Sequence, residues 1–109
     1  MRDLTVLEQL ILAAIVNLED EAYSVTIRQK VKEIAKKNIM YGTLYNALGQ
    51  LQQKGFVTKS KGQPTPARRG RPKMFYKPTG KGTEALLKAH DFQKDLWANL
   101  QDLLQSHQK

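Results

Sequence analysis

Between Tyr41 and Gln53 the sequence sets Thr43, Asn46, Gln50 and Gln53 three or four residues apart, with Tyr41 and Tyr45 at the margins of the row. That spacing gathers side chains on one face of a helix, and this face is uncharged yet dense in hydrogen-bonding groups. Asn and Gln present a donor and an acceptor that suit adenine, while Thr and Tyr hydroxyls suit phosphate oxygens. The plainer alternatives are an ordinary exposed helix face and, for Tyr45, packing beneath a neighbouring element. A second group lies further on, in Arg68-Arg69-Gly70-Arg71-Pro72-Lys73. Glycine permits close backbone approach, proline keeps the chain extended, and arginines seek the negative potential of a narrow A·T groove. The Arg-Gly-Arg-Pro core resembles an AT-hook, although phosphate contact by a basic loop is the simpler use of the same charges.

Both groups sit in one long basic tract. From Ile34 to Thr83 there is no Asp or Glu, whereas Lys36, Lys37, Lys54, Lys59, Lys61, Arg68, Arg69, Arg71, Lys73, Lys77 and Lys81 are all present. The net charge of +8 therefore arises wholly in the middle of the 109-residue chain. A surface kept charged for solubility mixes both signs, so a tract of one sign points to a polyanion. Catalysis has little to work with. There is no cysteine, and the two histidines, His90 and His107, have only Asp91 and Asp95 near the first of them. Neither a nucleophile with its base nor a tight metal-ligand spacing can be assigned, so no enzyme, metal or cofactor is expected. The longest apolar run, Leu10–Val16, is shorter than the roughly 20 residues of a membrane span. A cytoplasmic protein without a membrane partner is expected.

Thr5-x-x-Glu8 is a capping-box pattern opening a helix over about Val6–Leu18 that is apolar nearly all round. Ser24 is placed to cap a second helix carrying Val25, Ile27, Val31, Ile34 and Ala35. Leu44, Leu48 and Leu51 give the third helix, from Tyr41 to Lys54, a buried stripe opposite its polar face, and Gly55 suits the C′ position. Two short strands, Phe56–Ser60 and Lys73–Lys77, flank a Gly-, Pro- and Arg-rich tip from Lys61 to Pro72. A last helix, running from about Thr79, or nearer Thr83 given Gly80 and Gly82, reaches Ser106 with Leu86, Ala89, Gln93, Leu96, Leu100, Leu103 and His107 in a 3–4 alternation. Leu87, Phe92, Trp97 and Leu104 widen that stripe beyond what one small domain covers. The order of elements predicts a mainly α fold with a small β-hairpin: a winged helix-turn-helix over residues 1–78 and a dimerisation helix over 79–109.

The stretch Tyr41-Gly42-Thr43-Leu44-Tyr45-Asn46-Ala47-Leu48, running into Leu51 and Lys54-Gly55-Phe56-Val57, and then Phe75-Tyr76 with Thr79 and Gly82, resembles the PadR family of transcriptional regulators, in its short form with a single C-terminal helix. The likeness covers about Leu4–Leu87. It implies a dimeric, DNA-binding repressor, often released by a small molecule, whose last helix supplies much of the dimer contact, and it favours Tyr45 as a phosphate ligand. The chain departs from the pattern at Ala22-Tyr23-Ser24, where family members commonly place a glycine beside the tyrosine.

Residues and resemblance together predict a homodimeric regulator of double-stranded DNA. Lys36, Lys37, Tyr41, Thr43, Tyr45, Asn46, Gln50, Lys61, Arg68, Arg69, Arg71 and Lys73 would face the duplex, with Lys54 adding phosphate attraction. Leu7, Leu86, Leu96, Trp97, Leu100, Leu103 and Leu104 would form the dimer contact, the first helix adding to the last. Phe92 and Trp97 are candidates for stacking a flat aromatic effector. The rivals are a nonspecific architectural DNA binder using the Arg-Gly-Arg-Pro loop and a helical adaptor.

Overall fold

The computed structural model describes residues 3–64 and 72–108. The elements run α1 (Val6–Leu18), a 3₁₀ turn (Glu19–Glu21), α2 (Ser24–Ala35), α3 (Tyr41–Gln53), β1 (Val57–Pro64), β2 (Pro72–Pro78), α4 (Gly80–Trp97) and α5 (Leu100–His107). This is a mainly helical winged helix-turn-helix with one antiparallel hairpin. Arg68, Arg69 and Arg71 lie outside the described residues.

The first helix begins where its capping box dictates. Glu8 Oε1 accepts from the Thr5 amide at 2.8 Å, and Thr5 Oγ1 accepts from the Glu8 amide at 3.0 Å. Ile11, Leu12, Ala14 and Ile15 are wholly buried, and they join Ile27 and Val31 of α2 and Leu44, Leu48 and Leu51 of α3 in one core. Much of the apolar surface of α1 is covered by its own chain, since α2, α3, β2 and α4 all pack on it, while Val6 and Val16 remain exposed. Leu7 and Leu86 also lie partly buried against this core.

Several boundaries differ from expectation. Ser24 is the first helical residue of α2 rather than its cap. The N-cap is Tyr23, and the Thr26 hydroxyl accepts from the Tyr23 amide at 3.0 Å, closing the turn from inside the helix. Lys54 is the C-cap of α3, and Gly55, at φ 81°, makes the left-handed exit expected of it. Phe56 is buried in that turn rather than in a strand. Both strands run further into the basic tip than expected, reaching Pro64 and Pro72 across a bulge between Lys61 and Pro64. A two-stranded sheet has only edges, which tolerate proline and glycine. Gly62 sits under the ring of Phe75, which a Cβ there would overlap.

The last helix starts at Gly80, not Thr83. Thr79 caps it, its Oγ1 accepting from the Gly82 amide at 3.0 Å while donating to the Gly55 carbonyl at 2.7 Å. Gly82 is buried so tightly on the Phe56 carbonyl that a Cβ would overlap backbone atoms. The expected continuous helix also divides in two. The Ala98 amide bonds back three residues to Asp95 at 3.3 Å, which tightens the turn, and Asn99, at φ −116° and ψ −6°, is a distorted right-handed residue between the two helices. Asn competes with the backbone for hydrogen bonds and disfavours helix interiors. From Leu87 onward the large apolar residues of α4 and α5 are mostly exposed, among them Phe92, Leu96, Trp97, Leu103 and Leu104, while Leu100 is half-buried. They extend the molecule to 60 Å in its longest dimension.

Candidate nucleic-acid interface

The period of α3 separates its two faces cleanly. Leu44, Ala47, Leu48 and Leu51 anchor it in the core, so Thr43, Asn46 and Gln50 face outward and all three are exposed. Tyr41 and Tyr45 are exposed as well, their rings stacked at 6.2 Å with an interplanar angle of 29°. Tyr45, at 52% exposure, is not buried beneath the hairpin. Arg28 also belongs to this group, although the helical period alone does not place it there. Its guanidinium carbon lies 4.7 Å from the Tyr41 ring centroid, and its Nε donates to the Ile39 carbonyl at 2.6 Å. The partner is eleven residues away across the α2–α3 turn, beyond the reach of helical periodicity.

The basic tract divides into charges that face solvent and charges used internally. Lys36, in left-handed conformation at φ 61°, and Lys37 are exposed in the α2–α3 turn, and Lys59 and Lys61 are exposed on β1. None of the four has a carboxylate partner among the described residues. Lys73 is half-buried, its Nζ 4.3 Å from the Tyr23 ring centroid. Lys77 pairs with Asp20 at 3.4 Å in full solvent, a contact of little energetic weight.

Lys54 is the correction. Its Nζ lies 2.7 Å from Glu8 Oε1 and 3.1 Å from the Asp3 carbonyl, with the Lys54 side chain only 16% exposed. It ties the end of α3 to the start of α1 and is not available to a phosphate. Burial pushes the Glu8 carboxyl pKa up, but the hydrogen bonds from Lys54 and the Thr5 amide, with the Lys54 charge and the Thr5 hydroxyl, outweigh it and hold the value below 4.5.

The hairpin is pinned to the helices at its base. The Tyr76 amide donates to the Ala22 carbonyl at 2.8 Å, and Tyr23 pairs with Phe75 as an isolated bridge, with the two rings edge-on at 5.6 Å. Ala22-Tyr23, where the family commonly places a glycine beside the tyrosine, thus meets the outer edge of β2 through a single isolated bridge. Phe92 and Trp97 are exposed on α4, with Trp97 Nε1 donating to Gln93 Oε1 at 3.2 Å. Among the described residues no three His, Cys, Asp or Glu are grouped to hold a metal ion, and no helix is long and apolar enough to cross a membrane.

Residues 11–88 match the transcriptional regulator PadR-like family. Among solved structures the chain is similar to a PadR-like transcription factor from Bacteroides fragilis, at 32% identity over 89% of this chain and 88% of that one, with a TM-score of 0.72. It is also similar to RosR of H. salinarum in its complex with S4, at 26% identity over 90% and 77% of the two chains, with a TM-score of 0.70. A PadR-like transcriptional regulator from Bacillus cereus shares the fold at 23% identity, covering 92% of each chain with a TM-score of 0.74. A search of curated proteins finds no match.

Proposed function

Since this chain belongs to the PadR-like family, whose members are transcriptional regulators and not enzymes, we propose that it is a dimeric repressor reading a pseudo-palindromic operator. The observation that carries this reading is the exposure of Thr43, Asn46 and Gln50 on α3 beside lysines that no carboxylate engages among the described residues. Asn46 and Gln50 read base edges from the major groove. Lys36, Lys37, Lys61 and Lys73, with the hydroxyls of Tyr41, Thr43 and Tyr45, hold the phosphates that set register. Arg68, Arg69 and Arg71, which lie outside the described residues, would add their charge to the phosphate attraction.

In this reading residues 1–78 are the reading head and 79–109 the dimerisation element. The exposed apolar side chains of α4 and α5 support a second copy as their cover, because a lone small domain rarely leaves such a stripe in water. Leu96, Trp97, Leu100, Leu103 and Leu104 supply the centre of that contact, and Leu7 and Leu86 its margin. Two heads joined this way read half-sites about 10 base pairs apart or a multiple of one turn. A flat aromatic effector stacked on Phe92 and Trp97 would control binding by favouring one separation of the heads over another.

The test is selection of bound duplex from a random pool, with the mass of the complex measured alongside. A single symmetric motif with about 10-base-pair spacing, bound by two chains, is expected. Retention of all sequences alike would instead mark an architectural DNA binder, and retention of none would end the DNA reading.

A further inference from the structure

The reading helix is the one α-helix of the head that begins without a local side-chain cap. α1 starts under the Thr5 hydroxyl, α2 under that of Thr26, and α4 beyond the head under that of Thr79. At the start of α3 the N-cap is Met40, whose side chain accepts no amide among the described residues. The turn leading into α3 is strained as well. Lys36 stands in the left-handed region at φ 61° and ψ 26°, and no glycine lies between Lys36 and Met40 to relieve it. A non-glycine residue keeps such geometry only where its surroundings hold it. What holds the far end of this turn comes from α2. Arg28 Nε donates to the Ile39 carbonyl at 2.6 Å, a charge-assisted bond across eleven positions. That carbonyl lies just outside α3, whose first ladder bond runs from the Leu44 amide to the Met40 carbonyl.

The same guanidinium reaches the outer edge of α3. Its carbon lies 4.7 Å from the Tyr41 ring centroid, and Tyr41 stacks on Tyr45 at 6.2 Å, so one side chain fixes both the backbone entry to the helix and its first aromatic pair. Arg28 is half-buried and has no carboxylate partner among the described residues. A planar fork can bond a carbonyl and lie against a ring at once, which a lysine ammonium cannot do. We propose that Arg28 is a positioning residue for the reading helix: by bridging the Ile39 carbonyl and the Tyr41 ring it sets the angle at which Asn46 and Gln50 are presented, without itself bonding the duplex. The proposal rests on the regulator reading above and assigns part of its sequence specificity to a side chain that touches no base. Gln50 lies about 15 Å along the helix from Met40 at 1.5 Å per residue, so a tilt of about 4° at the start displaces it by about 1 Å, enough to spoil a bidentate contact.

Two variants of the full chain test it. Arg28→Lys keeps the charge and loses the flat guanidinium, and Arg28→Met keeps the aliphatic stem and loses both. Each is titrated across a salt series with the duplex selected from a random pool and with a scrambled duplex. Both variants are expected to lower the preference for the selected duplex by roughly tenfold, the scale of one lost base contact, and neither to change the log–log salt slope. A loss of folded protein would weaken both duplexes alike and leave that preference where it was. A preference unchanged in both variants, or fully kept by Arg28→Lys, overturns the proposal. So does a slope reduced by about 0.9 in Arg28→Met, which would mark a direct phosphate contact. If one variant fails to fold, the preference measured in the other decides. If the parent chain binds no duplex, the regulator reading fails separately, and amide hydrogen exchange in the free chain decides the positioning. The Leu44 and Tyr45 amides should then exchange about tenfold faster in Arg28→Lys than in the parent chain, with the Leu51 amide unchanged. Equal rates, or the same acceleration at all three, overturn it.

Discussion

Replacing Lys54 by Met should destabilise the protein while leaving the electrostatics of DNA binding alone. The substitution keeps the aliphatic stem but removes the ammonium group that lies 2.7 Å from Glu8 Oε1 and 3.1 Å from the Asp3 carbonyl. Glu8, only 4% exposed, then keeps its hydrogen bond from the Thr5 amide but loses its counter-charge. Breaking a buried pair from one side costs about 3–5 kcal/mol. Water reaches part of the Lys54 side chain, which lowers the expected loss to about 2–4 kcal/mol. Removing both charges, as Lys54→Met with Glu8→Leu, should cost less than Lys54→Met alone, because no charge is then stranded. Urea unfolding at neutral pH reads both effects as shifts of the midpoint at constant slope. The pH dependence has a definite sign. A carboxyl held below 4.5 in the folded state contributes fully above that value, and its contribution is lost as pH falls through the lower folded value. The gap between the parent chain and Lys54→Met should therefore narrow in acid. At pH 7 the salt slope for DNA should stay unchanged in Lys54→Met. A loss under about 1 kcal/mol, or a double variant that falls by the sum of the singles, would refute the coupling.

Gly82→Ala should be among the most damaging small changes, because the added methyl overlaps the Phe56 backbone. A loss of about 2 kcal/mol or more is expected in thermal or urea unfolding. Gly49→Ala should do the opposite, since a Cβ there meets nothing within 4 Å in an exposed helix interior. It should stabilise by about 0.5–1 kcal/mol, read as a raised Tm. Asn46→Ala or Gln50→Ala should cost about 1–3 kcal/mol on the selected duplex and spare binding to unrelated DNA, as measured by competition in mobility shifts. Leu103→Glu, at an exposed position of α5, should leave the fold intact and convert a dimer to a monomer in sedimentation.

Local pattern alone was enough to specify α1, from its Thr5–Glu8 capping box to Leu18, and the division of α3 into a buried leucine face and an outward amide face. Both depend on residues within a turn or two of one another, where helical period and capping chemistry act directly. Tertiary structure decided which of the basic residues were left to act. Lys54 and Lys59 look alike in the chain, yet Lys54 meets Glu8 from 46 positions away while Lys59 opens onto a cleft beside Tyr76. The start of the last helix was settled in the same way, by Thr79 bonding to Gly55 across 24 residues and by Gly82 closing on Phe56. Period and composition describe what a side chain is and which way its own element turns it. Whether a charge or a hydroxyl stays unpaired is set by what the folded chain brings against it.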